Sequence, residues 1–125
     1  MKQKFELEYT FNASVGVLFP RLSTPEGLAE WFADDVNVKD DVFTFLWDGS
    51  EQQAQMISKK ENKCIRFHWV DDEEEDTYFE FTIKVHELTG DVALVITDFA
   101  DEDEQSDSVD LWDSQISELK HALGI

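Results

Sequence analysis

Cys64 and His68 are the residues whose types first suggest chemistry, because a thiol beside an imidazole can form an activated nucleophile. Both lie in a stretch of alternating apolar residues that predicts a β-strand. Four residues along one strand separate them by about 13 Å, at about 3.3 Å per residue. General-base catalysis needs hydrogen-bond reach, so this pair cannot act directly. His86 and His121 are isolated and are expected on the surface.

Two acidic runs are the next candidates, in this case for a calcium-binding site. Residues 71–76 are six consecutive carboxylates, but they lack the glycine and the Asp-x-Asp-x-Asp-Gly spacing of an EF-hand. A solvated hairpin is predicted instead. The second run, between Asp98 and Asp107, precedes a helix. The sequence also has no zinc spacing, glycine-rich phosphate loop or nucleophile elbow, so we predict no catalytic residue, metal site or cofactor.

Aromatic residues offer a third kind of chemistry, the binding of an apolar molecule. Ligand sites are concave and mostly apolar, with a few polar groups, and Arg66 and Gln115 are candidates for such groups. Hydrophobic core is the alternative interpretation for each apolar position. A one-residue slip of the strand at residues 43–47 would also exchange its two faces. The candidate cavity-lining residues are Trp31, Phe32, Phe45, Trp47, Phe67, Trp69, Phe79, Phe81, Trp112, Gln115, Ile116 and Leu119.

Period-two alternation and helix signals predict the elements that position these residues. A strand at residues 5–11 comes first. A short helix capped by Asn12 and disrupted at Pro20 follows, and then a helix that begins at Thr24-Pro25 and runs to about Phe32.

Strands return from Val36 onward, and a helix closes the chain from about Ser106 or Asp107. That helix carries an apolar stripe at spacings of three and four residues. The further predicted strands are 42–47, 52–59, 64–70, 77–86 and 92–99, and the stripe is Val109, Trp112, Ile116, Leu119 and Leu123.

Length and charge limit the class of protein. The chain has 125 residues, enough for one domain spanning residues 1–125 with a sizeable core. Its 29 acidic and 10 basic residues give a formal net charge of −19, which disfavours nucleic acids and anionic membranes as partners. A single cysteine cannot form an internal disulfide, and no apolar stretch is long enough for a signal peptide or membrane span. A cytoplasmic location is expected.

The element order predicts an α+β fold in which a bent antiparallel sheet grips the last helix. Three segments carry further similarity to a known family. These are the strand at residues 5–11 with Asn12-Ala13-Ser14 after it, the run TPEGLAEWF at residues 24–32, and WDSQI at residues 112–116. In this order they resemble the START-like proteins of the SRPBCC superfamily, especially the branch named after the activator of the heat-shock chaperone ATPase. Val15-Gly16 departs from the Pro-Glu that many members carry there.

The resemblance implies a helix-grip fold: a curved seven-stranded antiparallel sheet around a long C-terminal helix, with two short helices between the first two strands and an internal cavity. Members bind lipids, sterols, polyketides or hormones, and some are cyclases. The leading hypothesis is therefore a non-enzymatic module that binds a small apolar, amphipathic or lipid-like ligand. A chaperone-associated interaction with a protein partner is the alternative, and a small cyclase-type enzyme is a third.

In an antiparallel meander, both acidic runs and the Asp48-Gly49 turn would meet at one rim of the sheet. Like charges gathered there reduce stability at low ionic strength, and added ions relieve the repulsion. We expect the melting temperature, followed by circular dichroism, to rise with added sodium chloride or with millimolar calcium or magnesium. A flat response would contradict the shared rim.

Overall fold

The alternating segments form one antiparallel sheet in the computed structural model, which describes residues 2–125. Neighbouring strands pair in the order β1-β7-β6-β5-β4-β3-β2. The strands are β1 (Gln3–Phe11), β2 (Asp35–Lys39), β3 (Val42–Trp47), β4 (Ser50–Lys60), β5 (Cys64–Trp69), β6 (Phe79–Val85) and β7 (Val92–Ala100). The helices are α1 (Val15–Ser23), α2 (Pro25–Leu28) and α3 (Gln105–Ala122). The α+β helix-grip prediction is confirmed: a curved seven-stranded sheet, a long C-terminal helix and two short helices after the first strand.

Side-chain alternation assigns one face of the sheet to the core. On β3 the inner residues are Phe43 and Phe45, so the register left open by the sequence is settled. The apolar stripe of α3 packs on this inner face, as the pattern predicts. Phe79, Phe81 and Trp112 pack ring against ring there, with centroids 5.8–6.3 Å apart. Burial of these large apolar surfaces is the main source of stability in the fold.

The first helix differs from its prediction at both ends. Its N-cap is Ser14 rather than Asn12, and the Ser14 hydroxyl accepts a hydrogen bond from the Val17 amide. Pro20 does not end the helix, which continues to Ser23. A proline in a helix removes one backbone hydrogen bond, and here burial of Leu18, Phe19 and Leu22 in the core outweighs that loss.

The second helix is shorter than predicted, because it ends at Leu28 instead of near Phe32. Thr24 caps it as expected, by accepting a hydrogen bond from the Gly27 amide. The chain then continues in turns, in which the Trp31 and Phe32 amides still donate to the Leu28 carbonyl. The predicted strand ends agree with the structure to within two residues, and α3 begins within two residues of its prediction but ends three residues before the C-terminus.

The acidic segments leave the sheet at one end. Trp47 pairs with Ser50 across the β3–β4 turn, and the chain beyond β5 and beyond β7 emerges on the same side. The Lys2 ammonium lies 2.9 Å from an Asp72 oxygen, so it joins the start of β1 to the loop after β5. We call this end of the sheet, where α3 also begins, the acidic rim.

Gly27 allows α1 and α2 to pack closely. A Cβ atom there would overlap the Pro20 carbonyl oxygen and lie 2.6 Å from the Arg21 Cα. Both are backbone atoms, which cannot move without disturbing α1. Gly16, near the start of α1, has nothing within 4 Å of the corresponding position.

We therefore expect opposite effects from the same substitution at the two glycines. Gly27→Ala should lower the free energy of unfolding by about 1–3 kcal/mol through overpacking. Gly16→Ala should raise it by about 0.4–1 kcal/mol, because alanine restricts the unfolded chain and favours the helix. Urea denaturation of both variants tests this, and equal stability of the two would show that the close approach is not limiting.

Candidate functional site

An open cleft of about 470 Å³ lies at the acidic rim, between α3 and the inner face of the sheet. The α2–β2 connection, strands β3, β4, β5 and β7, and the first half of α3 all contribute to its wall. The wall is partly aromatic and partly polar. Its residues are Phe32, Trp47, Ser50, Gln52, Trp69, Asp98, Ser108, Leu111, Trp112 and Gln115.

The structure brings five of the twelve predicted residues to this cleft, and the other seven do not line it. Those in the wall are Phe32, Trp47, Trp69, Trp112 and Gln115. Those in the packed core are Trp31, Phe45, Phe67, Phe79, Phe81, Ile116 and Leu119, each with at most 6% of its surface exposed. The aromatic sheet positions thus divide into a closed interior and an open end. Ligand contact by any of the twelve stays a prediction.

Sequence reasoning missed Ser50, Gln52, Asp98, Ser108 and Leu111. The alternation of strand β7 and the helical spacing of α3 could have indicated three of them. Asp98 continues the inner-face alternation of β7, two residues beyond a fully buried isoleucine. Ser108 and Leu111 share a face of α3 with Gln115, at spacings of three and four residues.

Arg66 lies away from the cleft, contrary to its suggested role. Its neighbours Ile65 and Phe67 occupy the inner face of β5, so Arg66 projects outward. There the guanidinium is 2.9 Å from a Glu80 carboxylate oxygen and 3.8 Å from the centre of the Tyr78 ring. These outer-face contacts account for Arg66 without a ligand.

Phe32 joins the three parts of the cleft wall. Its backbone carbonyl accepts hydrogen bonds from the Trp47 indole at 2.9 Å and from the Gln115 amide at 3.3 Å. Its ring packs edge-on to Trp47 and stacks with Trp112, at centroid distances of 5.7 and 5.9 Å. The α2–β2 connection, β3 and α3 are therefore held together at one residue.

Asp98 places a carboxylate in this wall. Its Oδ2 accepts a hydrogen bond from the Trp112 indole at 2.8 Å, and its Oδ1 accepts one from the Phe99 amide at 2.7 Å. Burial raises the pKa of Asp98 above its usual 3.8, although these hydrogen bonds act in the opposite direction. The side chain is thus oriented by the protein and partly removed from water.

Asp72, in the loop after β5, has a lowered pKa, whereas the pKa of Asp98 is raised. Burial alone would raise its pKa, but hydrogen bonds from the Thr77 hydroxyl, the Lys2 ammonium and the Glu74 amide outweigh it and lower the pKa of Asp72 to about 2. The Lys2 pKa is raised, chiefly by the same hydrogen bond. This contact fixes the loop after β5 against the first strand.

Two negative findings apply to residues 2–125. No group of three or more His, Cys, Asp or Glu side chains there is arranged to hold a metal ion, so the carboxylates of the acidic rim do not converge into a coordination sphere. Every helix in this part of the chain is too short or too polar to cross a lipid bilayer.

The family model for the START-like superfamily domain matches residues 1–125. The chain belongs to the START-like superfamily. Proteins with this fold commonly bind ligands or act in interactions. No curated protein matches this START-like chain in sequence.

Solved structures agree with the family assignment. A Bacteroides fragilis protein studied by solution NMR is 44% identical, with 99% of this chain and 93% of that chain covered and a TM-score of 0.70. The Aha1 dimer from Colwellia psychrerythraea is 18% identical over 98% of this chain and 97% of that chain, with a TM-score of 0.83. The Cytophaga hutchinsonii protein ChR145 is 20% identical over 98% and 94%, with a TM-score of 0.76. The last two similarities show the fold alone.

The lowered pKa of Asp72 predicts how stability depends on pH. A carboxyl group with a pKa of 3.8 unfolded and about 2 folded stabilises the protein at neutral pH by about 2 kcal/mol. Its side chain is only 10% exposed, so solvent screens the interaction weakly. The contribution is complete above about pH 4 and is lost as the pH falls towards about 2.

Asp72→Asn should therefore lower the free energy of unfolding at pH 7 by about 2 kcal/mol, and its difference from the native protein should shrink below about pH 4. Urea denaturation at a series of pH values measures both effects. Asp71→Asn, at an exposed position of the same loop, is the matched control and should change stability by less than about 0.5 kcal/mol. A difference that stays constant with pH would contradict the assignment.

Proposed function

We propose that this START-like protein binds a small apolar or amphipathic molecule in the cleft between α3 and the sheet. The observation that carries the proposal is the cleft itself, about 470 Å³ with aromatic walls. Pockets for small molecules range from about 300 to about 1,000 Å³ and combine apolar walls with a few polar groups. The space therefore suits a molecule larger than a few waters and smaller than a folded partner.

Apolar surface at the mouth of the cleft supports the same conclusion. Leu111 is 61% exposed although it lies on the cleft side of α3. Trp47 and Trp69 are only partly buried, with ring centroids 6.4 Å apart. A ligand with an apolar body would cover this surface and gain about 25 cal/mol for each Å² removed from water.

Polar groups in the wall would orient the ligand. Gln52, Ser50 and Ser108 supply hydroxyl and amide groups that can donate or accept hydrogen bonds. A few such groups beside aromatic rings favour an amphipathic ligand over a purely hydrocarbon one.

Binding without catalysis remains the proposal, since no nucleophile in the wall is paired with a general base. The chaperone-associated role stays an alternative prediction. Its support is the structural similarity to the Aha1 dimer, and at 18% identity that similarity concerns the fold.

Filling the cleft tests the proposal. Ser108→Trp would place an indole in the cleft, whereas Ser114→Trp makes the same substitution at an exposed position of α3. Binding of the neutral fluorescent probe N-phenyl-1-naphthylamine should weaken at least about tenfold in the first variant, a loss typical of contacts in an apolar pocket. It should be unchanged in the second.

Fluorescence titration gives the dissociation constants, and native mass spectrometry of protein purified from cells would reveal a retained molecule. Equal probe binding by both variants, or none by the native protein, would overturn the proposed site.

A further inference from the structure

We propose that the ligand carries a protonated amine, which the cleft holds between the Asp98 carboxylate and the surrounding aromatic rings. This inference rests on the proposed function, because it names the chemical class that the same cleft selects. The apolar body of the ligand would lie against Leu111 and the indoles, and its ammonium group would donate hydrogen bonds to Asp98.

Asp98 supplies the charge. It is the one charged residue in the wall of the cleft, and the other polar residues of the wall are serines and glutamines. A carboxylate has about four lone-pair positions. The protein uses one on each oxygen, through Trp112 and Phe99, so acceptor positions remain for a ligand. Because Asp98 is already oriented, a cation would not have to order it on binding.

Desolvation makes a cationic partner favourable. Burial works against ionisation of Asp98, and a carboxylate removed from water is stabilised by an ion pair more than an exposed one. A neutral ligand would remove further water from this group without supplying a counter-charge. An anionic ligand would add repulsion, since the wall contains no basic residue.

The aromatic rings supply the second interaction. Four of the ten wall residues are aromatic, and three of these are tryptophans, the side chain that attracts cations best. Trp112 connects the two parts of the site, because its indole donates to Asp98 while its ring stacks with Phe32. A carboxylate hydrogen-bonded to one indole, in a wall that holds two more, is a setting in which an organic ammonium ion gains both charge pairing and cation–π attraction.

The charges around the cleft favour the same ligand. Lys2 is a cation that acts on Asp98, and it is paired with Asp72 at 2.9 Å. Glu74 also acts on Lys2, so this cation is shared among carboxylates and does not neutralise Asp98. The net charge of −19 adds a long-range attraction for cations, which salt screens beyond about 8 Å at physiological ionic strength.

Three molecules with the same decyl chain separate the ligand classes: decylammonium, decan-1-ol and decanoate. Isothermal titration calorimetry at pH 7 and about 150 mM sodium chloride keeps diffuse charge effects small. Decylammonium should bind at least about tenfold more tightly than decan-1-ol, a difference of about 1.4 kcal/mol, and decanoate should bind most weakly.

Asp98→Asn tests the assigned residue. It removes the charge but keeps the size and one acceptor, so decylammonium should fall to within about twofold of decan-1-ol. Binding of decan-1-ol by this variant shows that its cleft is intact. The matched control is Glu118→Gln, which makes the same change in net charge at an exposed position of α3 and should keep the preference for the amine.

The outcomes distinguish the two proposals. If decan-1-ol binds as tightly as decylammonium and Ser108→Trp blocks both, the cleft is a binding site and the amine inference is overturned. If the preference for decylammonium survives Asp98→Asn, diffuse charge explains it and the inference is also overturned. If none of the three binds the native protein, the amine inference and the proposed function fall together.

Discussion

Packing of one face of α3 on the inner face of the sheet is the constraint on which the rest of the molecule depends. Trp112, Ile116 and Leu119 are almost completely buried in this contact. The helix covers the inner face of the sheet, which would otherwise expose rows of phenylalanine side chains to water. A hydrogen bond of 2.6 Å from the Tyr9 hydroxyl to Asp113 ties the same helix to the first strand. The first strand and the last helix are thus held together. The position of α3 over the sheet determines where a cleft remains between the two.

The cleft exists because the inner face changes character towards the acidic rim. Phe45, Phe67 and Phe79 fill the space below the helix. On β4, the inner positions opposite Phe45 and Trp47 are Gln52 and Ser50, which are too small or too polar to continue that filling. Proteins pack their interiors nearly as densely as organic crystals, so a gap lined by such residues reflects the sequence at those few positions.

The sequence predicted the structure well where a periodic pattern was compatible with only one type of secondary structure. Alternating segments and an apolar stripe at helical spacing predicted an α+β fold and the buried face of α3, and the resemblance to the START-like family implied the seven-stranded helix-grip form. Prediction failed where burial overrode local preference, as at Pro20, which stays inside α1. For the candidate site, the sequence indicated large aromatic residues, five predicted residues lie in the cleft wall, and ligand contact by them stays a prediction. Whether a given ring fills the core or borders a cleft depends on how closely α3 approaches. Asp98 is next to an acidic run in sequence, which predicts a solvated position, but the alternation of β7 places its side chain on the inner face.

The sheet does not close into a barrel, so β1 and β2 each present one unpaired edge. Exposed strand edges invite pairing with further chains. On β1 the outward side chains include Lys4, Glu6 and Glu8, all exposed, and β2 is only five residues long. Parallel, in-register addition of a second copy's strand at β1 would bring each of these charges against its equivalent, so these side chains oppose that mode of aggregation in concentrated solution.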